Sequence, residues 1–307
     1  MKALRKVLFN RKGAVMVAFV AAAVSLIGFS ALAVDIGLLT LYKYEVTNAA
    51  DASALAGAQE LPAKPDQSIQ SALSIAAANG REHAVTDTVG TQLSKSDHAL
   101  TVSVGRTVPL FLAKVWGLET SRVTATATAE VKTYSGGGIG IVPFGIEKQT
   151  FVFGQTYRLK LGGGSGYNGN FQALALGVTG ASNYRDNIKY GYKGQFKIGD
   201  WIPTETGNMS GPTSAGVSYR LDLDPGATFE TVKEESGRVI IVPVIDSLLV
   251  SGRTDVLIVG FAAFFLEGSG GGGNDSFVYG KFRQMVIPGD YSNSANYYGL
   301  SVAVLSR

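Results

Sequence analysis

Cysteine is absent from all 307 residues, and histidine occurs only as His83 and His98. With no thiol there is no disulfide framework, no thiol nucleophile and no thiolate-bound metal, so stability has to come from packed cores alone. Two solitary histidines, without carboxylate or cysteine partners at ligand spacing, read as solvated side chains and not as a metal or acid–base centre. The glycine-rich stretches at 162–170 and 268–275 lack the Gly-Lys-Ser/Thr ending that holds phosphate and magnesium, which leaves them as hairpin loops. Asp222 and Asp224, read as neighbours on one strand face, fit a solvated face before the Pro225-Gly226 turn better than a calcium site. These patterns assign no catalytic, cofactor-binding or metal-ligating residue. Acidic residues are also missing from the first 34 positions, where Lys2, Arg5, Lys6, Arg11 and Lys12 stand unopposed.

Behind that basic tail, at 1–12, residues 13–34 carry no charge at all. As a helix they span about 33 Å, enough to cross a hydrocarbon core of about 30 Å. The five basic residues before the span, and Asp35 directly after it, predict a single-pass membrane protein. Its N-terminus is expected in the cytoplasm and its bulk outside. Cleavage after Ala31-Leu32-Ala33 is the competing expectation, but the apolar run exceeds the 7–15 residues usual for a signal peptide. The net charge of +3 falls to −2 without the tail, because 22 Lys+Arg then face 24 Asp+Glu. The basic character therefore belongs to the tail and marks no nucleic-acid surface.

The helical pattern continues past the span to about residue 60, where Pro62 and Pro65 end it. From Asn48 the residues turn small. Ala50, Ala54 and Ala58 form one stripe, and Ala49, Ser53 and Gly57 an adjacent one. Small residues four apart let another helix or a sheet approach closely. The stripes therefore predict a helix-packing interface, serving either the core of the first exported domain or an assembly partner.

The remainder predicts an α+β architecture. A helix opens at Pro65-Asp66 and stops at Asn79-Gly80, where a left-handed C-cap is expected. Alternation over 99–108 and 123–131 predicts half-buried strands, with a short helix between them at 109–117. A small α+β domain is therefore expected over 35–134. Gly136-Gly137-Gly138 marks a junction, and short β-like runs follow at 150–161, 171–178, 216–223, 238–245, 254–267, 276–287 and 301–305. They predict a mainly antiparallel, sandwich-like β domain over 135–307. Long loops are expected at 187–202 and 207–216, and the aromatics from Tyr184 to Trp201 are a candidate binding loop.

The succession of Gly13, the span, Ala33-Val34-Asp35-Ile36-Gly37 and Asn48-Ala49-Ala50-Asp51-Ala52-Ser53-Ala54-Leu55-Ala56-Gly57-Ala58 resembles the N-terminal domain of TadG-like proteins of Flp (Tad) pili. Ser53 departs from the family's AADAAALAGA. The resemblance extends to Glu130, through Phe111–Gly117 and Val123–Glu130, and more weakly to segments from 140 onward, including Val142-Pro143-Phe144. It implies a non-enzymatic, membrane-anchored assembly component of a Flp pilus or related cell-envelope machine. Its partners would be lipid and pilus-assembly or self-association partners reached through the N-terminal helix. A processed minor pilin is the neighbouring alternative, since Gly13 ahead of an apolar helix resembles a prepilin cleavage site. Prepilins usually place Glu five residues after the cut, where this chain has Ala18. An extracytoplasmic carbohydrate-binding or hydrolytic protein, with its site in the C-terminal β domain, is the other alternative.

Overall fold

The computed structural model describes residues 11–80, 87–138, 140–159, 170–248, 250 and 252–306. Lys2, Arg5, Lys6, His83, Tyr167 and the glycine-rich stretch at 162–169 lie outside the described residues. The chain opens with one uninterrupted helix, α1 (Arg11–Ala58), of 48 residues. It is long and apolar enough to cross a membrane, and none of its most apolar 18-residue window is buried inside the protein. From Val46 onward the same helix becomes one wall of a core. α2 (Pro65–Asn79) follows, with proline and Asp66 in its first turn, both suited to the free N–H groups and positive dipole there. Its end differs from the expectation: Gly80 has φ −96° and is not left-handed. The Gly80 N–H closes onto the Ala76 carbonyl at 2.9 Å without needing a positive φ.

Three strands run next: β1 (Asp87–Leu93), β2 (Ala99–Pro109) and β3 (Thr120–Gly136), with a 3-10 turn at Ala113–Trp116. The second half supplies β4 (Ile146–Glu147), β5 (Thr156–Leu159), β6 (Asn170–Leu174), helix α3 (Ala181–Tyr190) and β7 (Trp201–Thr206). Helix α4 (Ser210–Leu223), β8 (Val239–Ile245), β9 (Asp255–Gly270) and β10 (Phe277–Arg283) follow. The chain then returns through β11 (Met285–Val286), β12 (Asp290–Ser292) and β13 (Leu300–Ser306). One sheet has the order β1-β2-β3-β13-β11, with β12 also on β3. The other has the order β4-β8-β9-β10-β5, with β7 on β9 and β6 on β7. Pairing is antiparallel except for β11–β13 and β4–β8. The architecture is α+β with two mainly antiparallel sheets. The junction expected at 134/135 falls inside β3, and the first sheet draws its remaining strands from the far end of the chain.

Two readings of the second half need correction. Residues 216–223, expected as a strand, form most of α4, and much of the loop expected at 207–216 is its first part. Thr213, Gly216, Val217 and Arg220 are buried at helical spacing. Gly216 lets α4 approach α3, because a Cβ there would lie 2.6 Å from Ile188 Cγ2. Asp222 and Asp224 therefore do not share a strand face. Asp224 ends the helix and accepts a hydrogen bond from Ser236 Oγ at 2.6 Å. The loop expected at 187–202 begins inside α3 and ends inside β7.

Three cores stack through the molecule. The first lies between α1, α2 and one face of the first sheet, with Leu100, Val102, Val104, Ala127 and Ala129 facing the helices. The second lies between the sheets, where Tyr134 of β3 meets Phe261 of β9 edge-on at 5.4 Å, beside Leu300 and Val302 of β13. The third lies between the second sheet and α3 and α4. β9 is buried on both faces, which explains its nearly continuous apolar run Val259-Gly-Phe-Ala-Ala-Phe-Phe265.

Candidate functional site

The segment with most to explain is the stretch of α1 where the exposed apolar helix becomes a buried one. The β2–β3 hairpin lies along it. Gly57 of α1 meets Leu100, Glu45 meets Arg106, Lys43 donates to the Thr124 carbonyl, and Asp35 meets Phe111. From Gly57 back to Asp35 the helix covers about 33 Å. From Leu100 to Pro109 the strand covers about 30 Å, and two further residues carry the chain to Phe111. The two elements therefore stay in step over their whole contact, and the hairpin tip reaches the level of Asp35.

The small-residue stripes form this contact. Ala49, Ala50, Ser53, Ala54 and Ala58 are all buried, and Ser53 Oγ donates back to the Ala49 carbonyl at 2.6 Å. A Cβ on Gly57 would lie 2.2 Å from Leu100 Cδ2 and 2.8 Å from the Ser68 carbonyl oxygen. The surface these residues offer is taken up by the chain's own sheet and α2, and is not left open to a second molecule. What α1 leaves exposed beyond its uncharged stretch is a different face, with Ile36, Gly37, Leu41 and Tyr44.

Two charged residues fasten the helix to the hairpin. Arg106, 2% exposed, sits on the buried face of β2 in register with Val102 and Val104. Its Nε and Nη2 donate to the Asp87 carboxylate at 2.6 and 2.8 Å, and its Nη1 donates to Glu45. The guanidinium also lies over the Tyr42 ring, 5.6 Å from its centroid. Hydrogen bonding to Asp87 is the main cause that holds the Arg106 pKa above its ordinary value, against the cost of burial. Asp35, also buried, accepts backbone N–H groups from Phe111 at 2.7 Å, Leu112 at 3.1 Å and Ala113 at 2.7 Å. One carboxylate thus satisfies the free donors that open the 3-10 turn.

No sequence motif gives Arg106 a role, although a charge on the buried face of an alternating strand is a visible signal. Asp35 stands out in the sequence as a mark of orientation and as part of the Ala33–Gly37 motif, and neither points to the hairpin. Arg11 and Lys12 lie in the first turn of α1.

In the β-rich half Glu205, Arg220 and Arg238 are also buried, and each is spent on the backbone: Glu205 accepts the Gly180 N–H at 2.6 Å, Arg220 donates to the Gly237 carbonyl at 2.7 Å and Arg238 to the Leu266 carbonyl at 3.0 Å. Among the described residues no group of three or more His, Cys, Asp or Glu is placed to hold a metal. His98 is exposed and stands edge-on to Tyr297. The aromatics from Tyr184 to Trp201 do not form one surface. Tyr184 is a core residue against Phe144, Tyr192 stacks on Phe196, and Tyr190 and Trp201 are exposed. An open groove of about 540 Å³ is lined by Phe151, Phe153, Tyr297 and Tyr298, with Gln149 and Asn296 at its polar rim.

Residues 13–60 match the family described as "Putative Flp pilus-assembly TadE/G-like". Neither a curated protein nor a solved structure matches the chain significantly.

Proposed function

We propose that the protein is a non-enzymatic, membrane-anchored component of Flp (Tad) pilus assembly. The observation that carries this reading is that the matched segment, 13–60, is structurally one object. A single helix runs without a break from an exposed uncharged stretch into the core of a folded domain. Such a helix couples an anchor rigidly to what it carries. In this reading 13–34 spans the membrane, the basic tail remains cytoplasmic and the two-sheet body is extracytoplasmic. Pilus-assembly partners, or a second copy, contact the helix on its exposed face at Ile36, Gly37, Leu41 and Tyr44, because the small-residue stripes are filled from within.

Alkaline carbonate extraction combined with external proteolysis of intact cells tests the anchor. A chain released by carbonate, or a body still shielded from protease once only the cytoplasmic membrane encloses the cell, overturns it. The assembly role is tested by deleting the gene and scoring Flp pili on the surface, with Leu41→Glu as the finer probe. Unaltered pili in the deletion strain overturn that part.

A second reading, glycan binding, rests on the aromatic groove beside Phe153 and Tyr297. Among the described residues its lining contains no carboxylate, which favours binding over hydrolysis. A glycan array with the full chain, compared with Tyr297→Ala, would separate the two readings.

A further inference from the structure

The hairpin tip held by Asp35 is apolar, and it sits where the helix leaves its uncharged stretch. The tip reads Phe111-Leu-Ala-Lys-Val-Trp-Gly-Leu118. Phe111 is 73% exposed and Leu118 59%, values like those of Phe19 at 73% within the uncharged stretch itself. Lys114, also exposed, lies between them in the sequence. The tip does not hang free. Three backbone hydrogen bonds tie 111–113 to Asp35, the first residue after the span, and Leu110 is buried at its root.

Exposed apolar residues clustered on a fixed tip mark a contact surface. We propose that this tip is a second membrane contact, in which Phe111 and Leu118 enter the boundary between headgroups and acyl chains and Lys114 meets anionic headgroups. Three observations select lipid as the occupant. The tip is level with the end of a stretch of bilayer length. It combines apolar side chains with an exposed lysine, the pairing used by interfacial anchors. It is also held rigidly to the helix that enters the membrane. The consequence is a two-point attachment that sets the height and tilt of the body above the bilayer. The inference rests on the anchoring reading given above.

The cysteine-free chain allows a direct test. Leu118→Cys, labelled with a polarity-sensitive nitrobenzoxadiazole dye, is reconstituted as the full chain in vesicles of phosphatidylethanolamine and phosphatidylglycerol. Val178→Cys is the control, because Val178 is 72% exposed but lies after β6 of the second sheet. The label at 118 is expected to shift to the blue and to be quenched by shallow nitroxide lipids, while the label at 178 does neither. Adding Phe111→Asp should remove most of that quenching, and Phe111→Leu should keep it, with the chain resistant to carbonate throughout. A label at 118 as aqueous as that at 178, on a carbonate-resistant chain, overturns the proposal and leaves the anchor intact. A blue shift without nitroxide quenching means that protein covers the tip, and also overturns it. Release of the chain by carbonate overturns both readings together.

Discussion

Arg106 and Asp87 form a two-pronged ion pair across β1 and β2, with N···O distances of 2.6 and 2.8 Å and both side chains nearly out of water. Glu45 of α1 meets the remaining side of the same guanidinium, so one arginine joins the edge strand, the hairpin and the long helix. Such a pair adds little net stability over an apolar substitute, but removing one member strands the others.

Arg106→Ala is therefore expected to destabilise the helix–sheet unit by about 3–5 kcal/mol, since it leaves Asp87 buried without its partner. Arg106→Lys should recover only part, because an ammonium cannot supply two parallel donors. Chemical denaturation of the full chain in detergent, followed by circular dichroism, gives both values. An alanine variant as stable as the parent would show that the pair is dispensable.

At Gly57 the helix and sheet touch so closely that no side chain fits. Gly57→Ala should cost about 1–3 kcal/mol through overpacking, despite alanine's better helix propensity. Ala54→Glu should be worse, because it forces a carboxylate into a fully buried position without a partner. Both should raise protease sensitivity of the body while leaving the chain in the membrane fraction. Selective loss of partners from a stably folded Ala54→Glu chain would contradict the internal packing of the stripe.

Asp35→Ala removes the acceptor for three amides at once, and an unsatisfied buried N–H costs about 1–3 kcal/mol. Hydrogen exchange at 111–113 should accelerate strongly, with little change at Leu100 or Val102 in the core. Asp35→Asn retains one acceptor oxygen and should fall between. Equal exchange in all three proteins would remove Asp35 from the account of the tip.

Burial pushes the Tyr184 phenol well above its ordinary value of 10.0, and that of Tyr134 upward as well. An acid whose folded pKa is raised contributes stability that is fully present below its unfolded pKa and is lost as pH rises beyond it. Stability should therefore not vary on account of these two groups up to about pH 10, and should decline above it as the unfolded chain ionises. Tyr184→Phe should flatten part of the decline, since its hydroxyl makes only a 3.5 Å contact with Thr213. Phenolate absorbance during alkaline titration reports whether these tyrosines ionise before or with unfolding.

The long helix and the hairpin along it were legible because their signals are local. An uncharged run has a length, alanines recur every fourth residue, and 99–108 alternates. The second half of α4 resembles a strand in sequence because Val217, Tyr219, Leu221 and Leu223 also alternate, and Gly216 looks like a breaker until Ile188 is placed against it. The site residues divide in the same way. Arg106 announces itself as a charge on an apolar strand face, whereas its partners Asp87 and Glu45 come from separate elements and leave no mark in the sequence. The tip of the hairpin could be read as apolar, but not as level with Asp35, because that depends on how two elements align.

The place of β13 beside β3 bears on how the protein matures. The sheet nearest the long helix takes most of its residues from early in the chain, yet most of the pairing on the outer edge of β3 comes only with Leu300–Ser306. Until then the outer edge of β3 presents unpaired backbone to any passing strand. In a chain that emerges from its N-terminus, most of that edge stays unpaired until β13 arrives. Pairings so distant along the chain are slow to form. A chaperone, or a neighbouring copy's strand, has its best opportunity in that interval.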